Sequence, residues 1–78
     1  MVRTREEHTF NEELRRRTRE LREGRELQQQ QIADLLGVDV ETYKKYETRT
    51  PLPRYLIPRF ARLVGASISF LMTGYEEK

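Results

Sequence analysis

Cysteine is absent from the 78-residue sequence, and its one histidine, His8, stands in a charged N-terminal stretch. The first absence excludes a disulfide scaffold, and the two together remove the usual ligands of a zinc site. The fold must therefore rest on packing alone, at a length near the lower limit for a single unaided core. Long apolar runs are also missing. Nothing approaches the roughly 20 apolar residues of a membrane span, and no apolar segment follows Met1-Val2-Arg3 as a secretory signal would require. A cytoplasmic protein without a membrane partner is the expectation. Catalytic sets are lacking too: one histidine, no cysteine, and the serines Ser67 and Ser69, both at the start of the last helix, offer no nucleophile and base, and the scattered glutamates show no tuned pair. The chain is expected to be no enzyme and to need no cofactor.

What is abundant is charge, with 15 basic and 13 acidic residues and a net +2. That balance is too small to argue for nucleic acid, but its distribution is uneven. The first 26 residues hold eight basic and seven acidic side chains, whereas Lys44, Lys45, Arg49 and Arg54 face only Glu47 across the middle of the chain. A local basic patch results, open to two readings: a solvated face or a polyanion contact.

The order of apolar residues and breakers predicts helices throughout, with no strand-like alternation. Met1 to His8 has no apolar period and reads as a flexible arm with His8 exposed. Thr9-Phe10-Asn11-Glu12 fits a capping box opening a helix that buries Phe10, Leu14, Thr18 and Leu21 and ends at Gly24. Pairs such as Glu13 with Arg17 and Arg16 with Glu20 suit its surface. A second helix runs from Gln28 or Gln29 to Leu36, burying Ile32, Leu35 and Leu36, and stops at Gly37. Asp39 caps a third from Val40 to Glu47, with Tyr43 and Tyr46 inward. After a loop over Thr48 to Pro53, a fourth covers Tyr55 to Val64, burying Leu56 or Ile57, Phe60 and Ala61, with Pro58 in its first turn. Ser67 caps the last, Ile68 to Met72, which turns Ile68 and Leu71 inward and ends at Gly74.

The most informative unit is the stretch from Gln29 to Glu47, where two short helices meet across a turn of about three residues. Ala33 supplies the small side chain needed for close crossing, and Gly37 the freedom needed in the turn. With Ile32, Leu36, Val38, Tyr43 and Tyr46 buried, the second helix turns Val40, Glu41, Lys44 and Lys45 outward with Thr42 at the edge. That is the profile of a DNA-recognition helix.

These residues, with Leu27-Gln28-Gln29-Gln30-Gln31-Ile32-Ala33, Leu36-Gly37-Val38, Tyr46-Glu47, Pro53-Arg54, Leu63-Val64-Gly65-Ala66-Ser67 and Leu71-Met72-Thr73-Gly74, carry a resemblance. From Phe10 to Gly74 the chain resembles the phage-repressor helix-turn-helix family, also called the Cro/CI or XRE family. The resemblance implies an all-α, compact five-helix bundle over residues 9–74, between an arm at 1–8 and a tail at 75–78. It implies a bacterial or phage-encoded, nucleoid-associated regulator, more often a repressor, that sets the helix at 40–47 into the major groove of double-stranded DNA. Gln29 is similar to a glutamine that bonds a phosphate and supports the recognition helix. Val40, Glu41, Thr42 and Lys45 match positions that reach base edges or phosphates, with Lys44 and Arg49 on the same basic side. Arg54 resembles an arginine that enters the minor groove. Arg22 and Glu47 match a partly buried ion pair joining the first helix to the third.

A palindromic operator and a weak homodimer are implied as well, since one recognition helix buries little surface and the family pairs two copies roughly 34 Å apart. Tyr55, Phe70 and Met72 are the expected interface, kept small by Arg59 and Arg62. Three departures stand against the pattern. Tyr43 replaces a branched aliphatic residue. Asp39 and Glu41 put carboxylates beside phosphate, although Glu41 can accept from a cytosine amino group. Thr48-Arg49-Thr50 replaces an asparagine-glycine turn. Two other functions fit the same residues: an antitoxin that represses its own operon and binds a toxin, or a protein-interaction module that has lost DNA binding.

Overall fold

Five α-helices and one 3-10 turn follow one another in a computed structural model that describes residues 4–75. In chain order they are α1 (Arg5–Gly24), α2 (Gln29–Leu36), α3 (Val40–Thr48), the 3-10 turn Arg54–Leu56, α4 (Ile57–Val64) and α5 (Ile68–Thr73). No strand occurs among the described residues, and none of their helices is long and apolar enough to cross a membrane.

The first helix starts earlier than its apolar period suggests. Thr4, not Thr9, is the N-cap, its hydroxyl accepting from the Glu7 amide at 3.1 Å. Thr9 is an exposed residue inside the helix, so the segment expected as an arm is helical from Arg5. Residues 1–3 lie outside the described residues, as do 76–78 of the expected tail. The extra turns are held by polar means: Glu6 and Glu7 suit the positive end of the helix dipole, and His8 Nε2 lies 2.5 Å from Glu12 Oε1 one turn on. Phe10 is consequently 40% exposed rather than buried. The helix also ends differently from expectation. Gly24 remains helical, and Glu26 takes the left-handed turn at φ 57°, letting the Leu27 amide reach back to the Arg22 carbonyl.

Elsewhere the breakers act where the sequence places them. Gly37 and Gly65 adopt φ of 77° and 71° at the ends of α2 and α4, and each is followed by an amide that closes the last turn. Asp39 and Ser67 cap α3 and α5. The core gathers Leu14, Ile32, Ala33, Leu36, Tyr43, Tyr46, Leu52, Leu56, Ile57, Phe60, Ala61, Val64 and Leu71, so both Leu56 and Ile57 are inside. Leu35 and Ile68, expected there, are 52% and 49% exposed. Each short helix has only one face against its neighbours, and Leu36 and Leu71 occupy it. Leu52 is the reverse case, a loop residue that anchors the chain between Pro51 and Pro53. Val38 is only half-buried at the edge of the core.

The C-terminal helix is fastened by a charge. Arg17, buried on α1, donates from Nε to the Leu71 carbonyl at 2.8 Å and from Nη2 to the Met72 carbonyl at 3.0 Å. These are orphan carbonyls at the negative end of α5, where a cation is favoured. Glu13 Oε2, 3.8 Å from Nη1, adds opposite charge on the exposed side. Replacing Arg17 by alanine should therefore lower stability by about 2 kcal/mol, because charge-assisted bonds are lost and carbonyls are left unpaired. Urea melts of the two proteins measure it, and a difference under about 0.5 kcal/mol, the range of surface substitutions, would show that α5 is held by packing alone.

Candidate nucleic-acid interface

The close crossing of α2 and α3 is built on Ala33, fully buried, and on the turn at Gly37, where the Val38 amide donates to the Ala33 carbonyl at 3.0 Å. Asp39 then caps α3 by accepting from the Glu41 amide at 3.0 Å, so this carboxylate serves the helix start. Tyr43 and Tyr46 turn inward, their rings edge to face at 6.1 Å and 85°. The opposite side of α3 leaves Glu41, Thr42, Lys44 and Lys45 exposed. Lys44 Nζ lies 3.0 Å from Glu41 Oε2, which neutralises the second carboxylate locally. Val40, expected to face outward, is half-buried and packs in part against the core. As the first residue of α3, it sits where the helix is still covered by the preceding turn.

Glu47 organises the inner side of the unit. Its side chain is 2% exposed and receives Arg22 Nε on Oε2 at 2.6 Å and Arg22 Nη2 on Oε1 at 3.1 Å, a two-pronged pair. The Tyr43 hydroxyl donates to Oε2 from one turn earlier, and Gln29 Nε2 donates to Oε1 at 3.1 Å from the start of α2. Arg22 spends Nη1 on the Leu27 carbonyl at 2.7 Å. No buried side-chain nitrogen or oxygen among the described residues lacks a partner.

Burial by itself would raise the Glu47 carboxyl, but the hydrogen bonds from Arg22 and Tyr43, the Arg22 charge and the Gln29 amide outweigh it and hold the group below its ordinary range. Arg22 is held above its usual value, chiefly by its bond to Glu47 and against its own desolvation. The Tyr43 hydroxyl is pushed far up by burial, by its bond to Glu47 and by that carboxylate's charge.

Beyond α3 the chain runs through a basic loop. Arg49 is exposed and caps α3, its carbonyl receiving Arg15 Nη1 at 3.3 Å, while the Thr50 amide joins its own on the Lys45 carbonyl at 2.8 Å. Arg54, exposed, opens the 3-10 turn behind Pro53. From Thr48 to Tyr75 the sequence contains no aspartate or glutamate at all. Lys45, Arg49 and Arg54 thus have no carboxylate within salt-bridge distance among the described residues.

Among the residues singled out from sequence, Gln29, Arg22 and Glu47 meet at the Glu47 carboxylate, while Glu41, Thr42, Lys44 and Lys45 are exposed on α3, Arg49 at its end and Arg54 at the start of the 3-10 turn. Tyr55 is 75% exposed on the 3-10 turn. Phe70 and Met72 are half-buried on α5, Met72 against the core. Two contributors escape the sequence reading. Tyr43, taken there as packing alone, is also a donor, a role its four-residue spacing from Glu47 permits. Arg15 gives no local signal, because the carbonyl it holds is 34 positions away.

Replacing Glu47 by alanine should cost roughly 2 kcal/mol or more, since Arg22 would be left buried without its partner. The pH profile carries a second signature. A carboxyl held low in the fold stabilises above its unfolded value, about 4.3, and that contribution is lost as pH falls through the folded value. A tyrosine held high stabilises below its unfolded value, about 10, and its contribution shrinks as pH rises beyond it. Chemical denaturation across pH should therefore show the advantage over Glu47→Gln largest near neutrality and vanishing in acid. An advantage independent of pH below about 4 would contradict a charged Glu47.

The sequence matches the family described as "Helix-turn-helix domain" over residues 13–69, which spans well over half of the chain from α1 into α5. No curated protein and no solved structure gives a significant match. The matched segment holds the crossing of α2 and α3, the Glu47 network and the basic loop, within an all-α five-helix bundle of the phage-repressor DNA-binding type. The chain belongs to the helix-turn-helix domain family.

Proposed function

We propose that the protein is a sequence-specific DNA-binding regulator, acting as a repressor by occupying a palindromic operator as a weak homodimer and performing no chemistry of its own. The observation that carries this reading is the exposed side of α3, with Thr42 and Lys45 outward, continuous in sequence with Arg49 and Arg54 and tied to the start of α2 through Glu47 and Gln29. On this reading Thr42, Lys45 and the exposed part of Val40 face base edges, and Glu41 accepts from a cytosine amino group when Lys44 releases it. Gln29, Lys44 and Arg49 hold phosphates, and Arg54 reaches the minor groove. The two carboxylates that would favour a protein-interaction module, Asp39 and Glu41, are engaged as a helix cap and in a pair with Lys44.

Positioning and reading residues should separate under selection from random oligonucleotides. Gln29→Ala and Arg49→Ala should weaken binding to every duplex alike, and Lys45→Ala and Thr42→Ala should change which sequences are enriched. The same site recovered by all four variants would remove α3 from the role of reader.

Dimerisation is assigned to Tyr55, Phe70 and Met72, of which Phe70 is half-buried and Tyr55 openly exposed. Phe70→Glu should abolish cooperative binding to a palindrome while half-site binding persists. Unchanged cooperativity and sedimentation in that variant would place the contact between copies elsewhere.

A further inference from the structure

We propose that the Tyr43 hydroxyl is a positioning group for DNA contact: it fixes the Glu47 carboxylate and thereby aims the Gln29 amide at a phosphate. The inference rests on the DNA-binding reading above and goes beyond it in naming a residue that touches neither base nor phosphate.

A carboxylate offers about four lone-pair sites. Here four donors take them: Arg22 Nε and the Tyr43 hydroxyl on Oε2, Arg22 Nη2 and Gln29 Nε2 on Oε1. The carboxylate is saturated, so turning it to favour any donor takes a bond from another. The donors are not equally rigid. Gln29 is itself the group to be aimed, and Arg22, buried and tied through Nη1 to the Leu27 carbonyl, reaches the carboxylate on a long side chain that can follow a small rotation of it. Tyr43 cannot follow, because its ring is fully buried, packs edge to face on Tyr46 and rides on the same helix as Glu47. Its hydroxyl is thus the fixed reference of the network.

The consequence falls on Gln29. Only the nitrogen end of its amide can face a carboxylate, and one of the two N–H bonds is committed to Oε1 at 3.1 Å. The second is left for another acceptor, at a half-buried residue that begins α2. That is the end of the helix where a phosphate is favoured. Without the Tyr43 hydroxyl, Oε1 is no longer held in one place and the amide loses its aim, although the ion pair persists.

The test is Tyr43→Phe, which keeps the ring and removes the donor, with circular dichroism confirming the fold. In the free protein, the NMR signals of the Gln29 side-chain amide should move toward those of a solvated glutamine. Affinity for a selected duplex should fall about fivefold, the worth of one hydrogen bond, with the salt dependence unchanged because no charged contact is lost. In a Gln29→Ala background the same substitution should cost no further affinity. Gln29 amide signals that stay in place, or an equal loss of affinity with and without Gln29, would overturn the proposal and leave Tyr43 a core residue only. A wild-type protein that binds no duplex would instead overturn the DNA-binding reading and with it the use of Gln29, even where the amide signals verify the tether.

Discussion

Three helices meet at one carboxylate. Glu47 on α3 is bound by Arg22 from α1, by Gln29 from α2 and by Tyr43 from its own helix, and no water-exposed alternative is available to a side chain only 2% exposed. The geometry of the helix-turn-helix depends on that arrangement. Apolar packing of Ile32, Ala33 and Leu36 against the inner face of α3 sets how close α2 and α3 come, but such packing tolerates small sliding and rotation. Hydrogen bonds to a single carboxylate do not, since each fixes a distance and an angle.

A buried charge pair is an expensive way to gain stability, because desolvation offsets much of the attraction. Its contribution here is best understood as register. The same device recurs on the other side of α1, where Arg17 grips the terminal carbonyls of α5. Arg22 and Arg17 lie five positions apart on one helix, reach in different directions, and hold α3 and the C-terminal helix to a common strut. In a chain this short, with few core side chains, two arginines supply the orientation that a larger apolar interface would otherwise provide.

Charge is segregated in the same spirit. Acidic residues are spent on α1, in pairs along its surface, as the cap of α3, as the partner of Lys44 and as the buried node. None remains between Thr48 and Tyr75, and Arg49 and Arg54 have no carboxylate within salt-bridge distance among the described residues. Exposed cations of that kind attract phosphate without regard to base sequence.

Much of this was legible in the sequence because it is local. Caps at Asp39 and Ser67, left-handed ends at Gly37, Gly65 and Gly74, and the small Ala33 at the crossing are decided within a few residues, and they lie where the sequence puts them. The start of α1 was not legible, since a polar helix held by Thr4 and by pairs such as His8 with Glu12 has no apolar period to follow. Leu35, Ile68 and Phe10 show a related limit: an apolar residue in a helix is buried only when a neighbouring element covers its side, and sequence does not say which side that is. Pattern alone determined the helices, their order and the helix-turn-helix they form. Only the tertiary structure decided that Arg17 holds α5, that Leu52 anchors a loop, and that Arg22, Gln29, Tyr43 and Glu47 converge, because those contacts join residues far apart in the chain and exist only once the helices have packed.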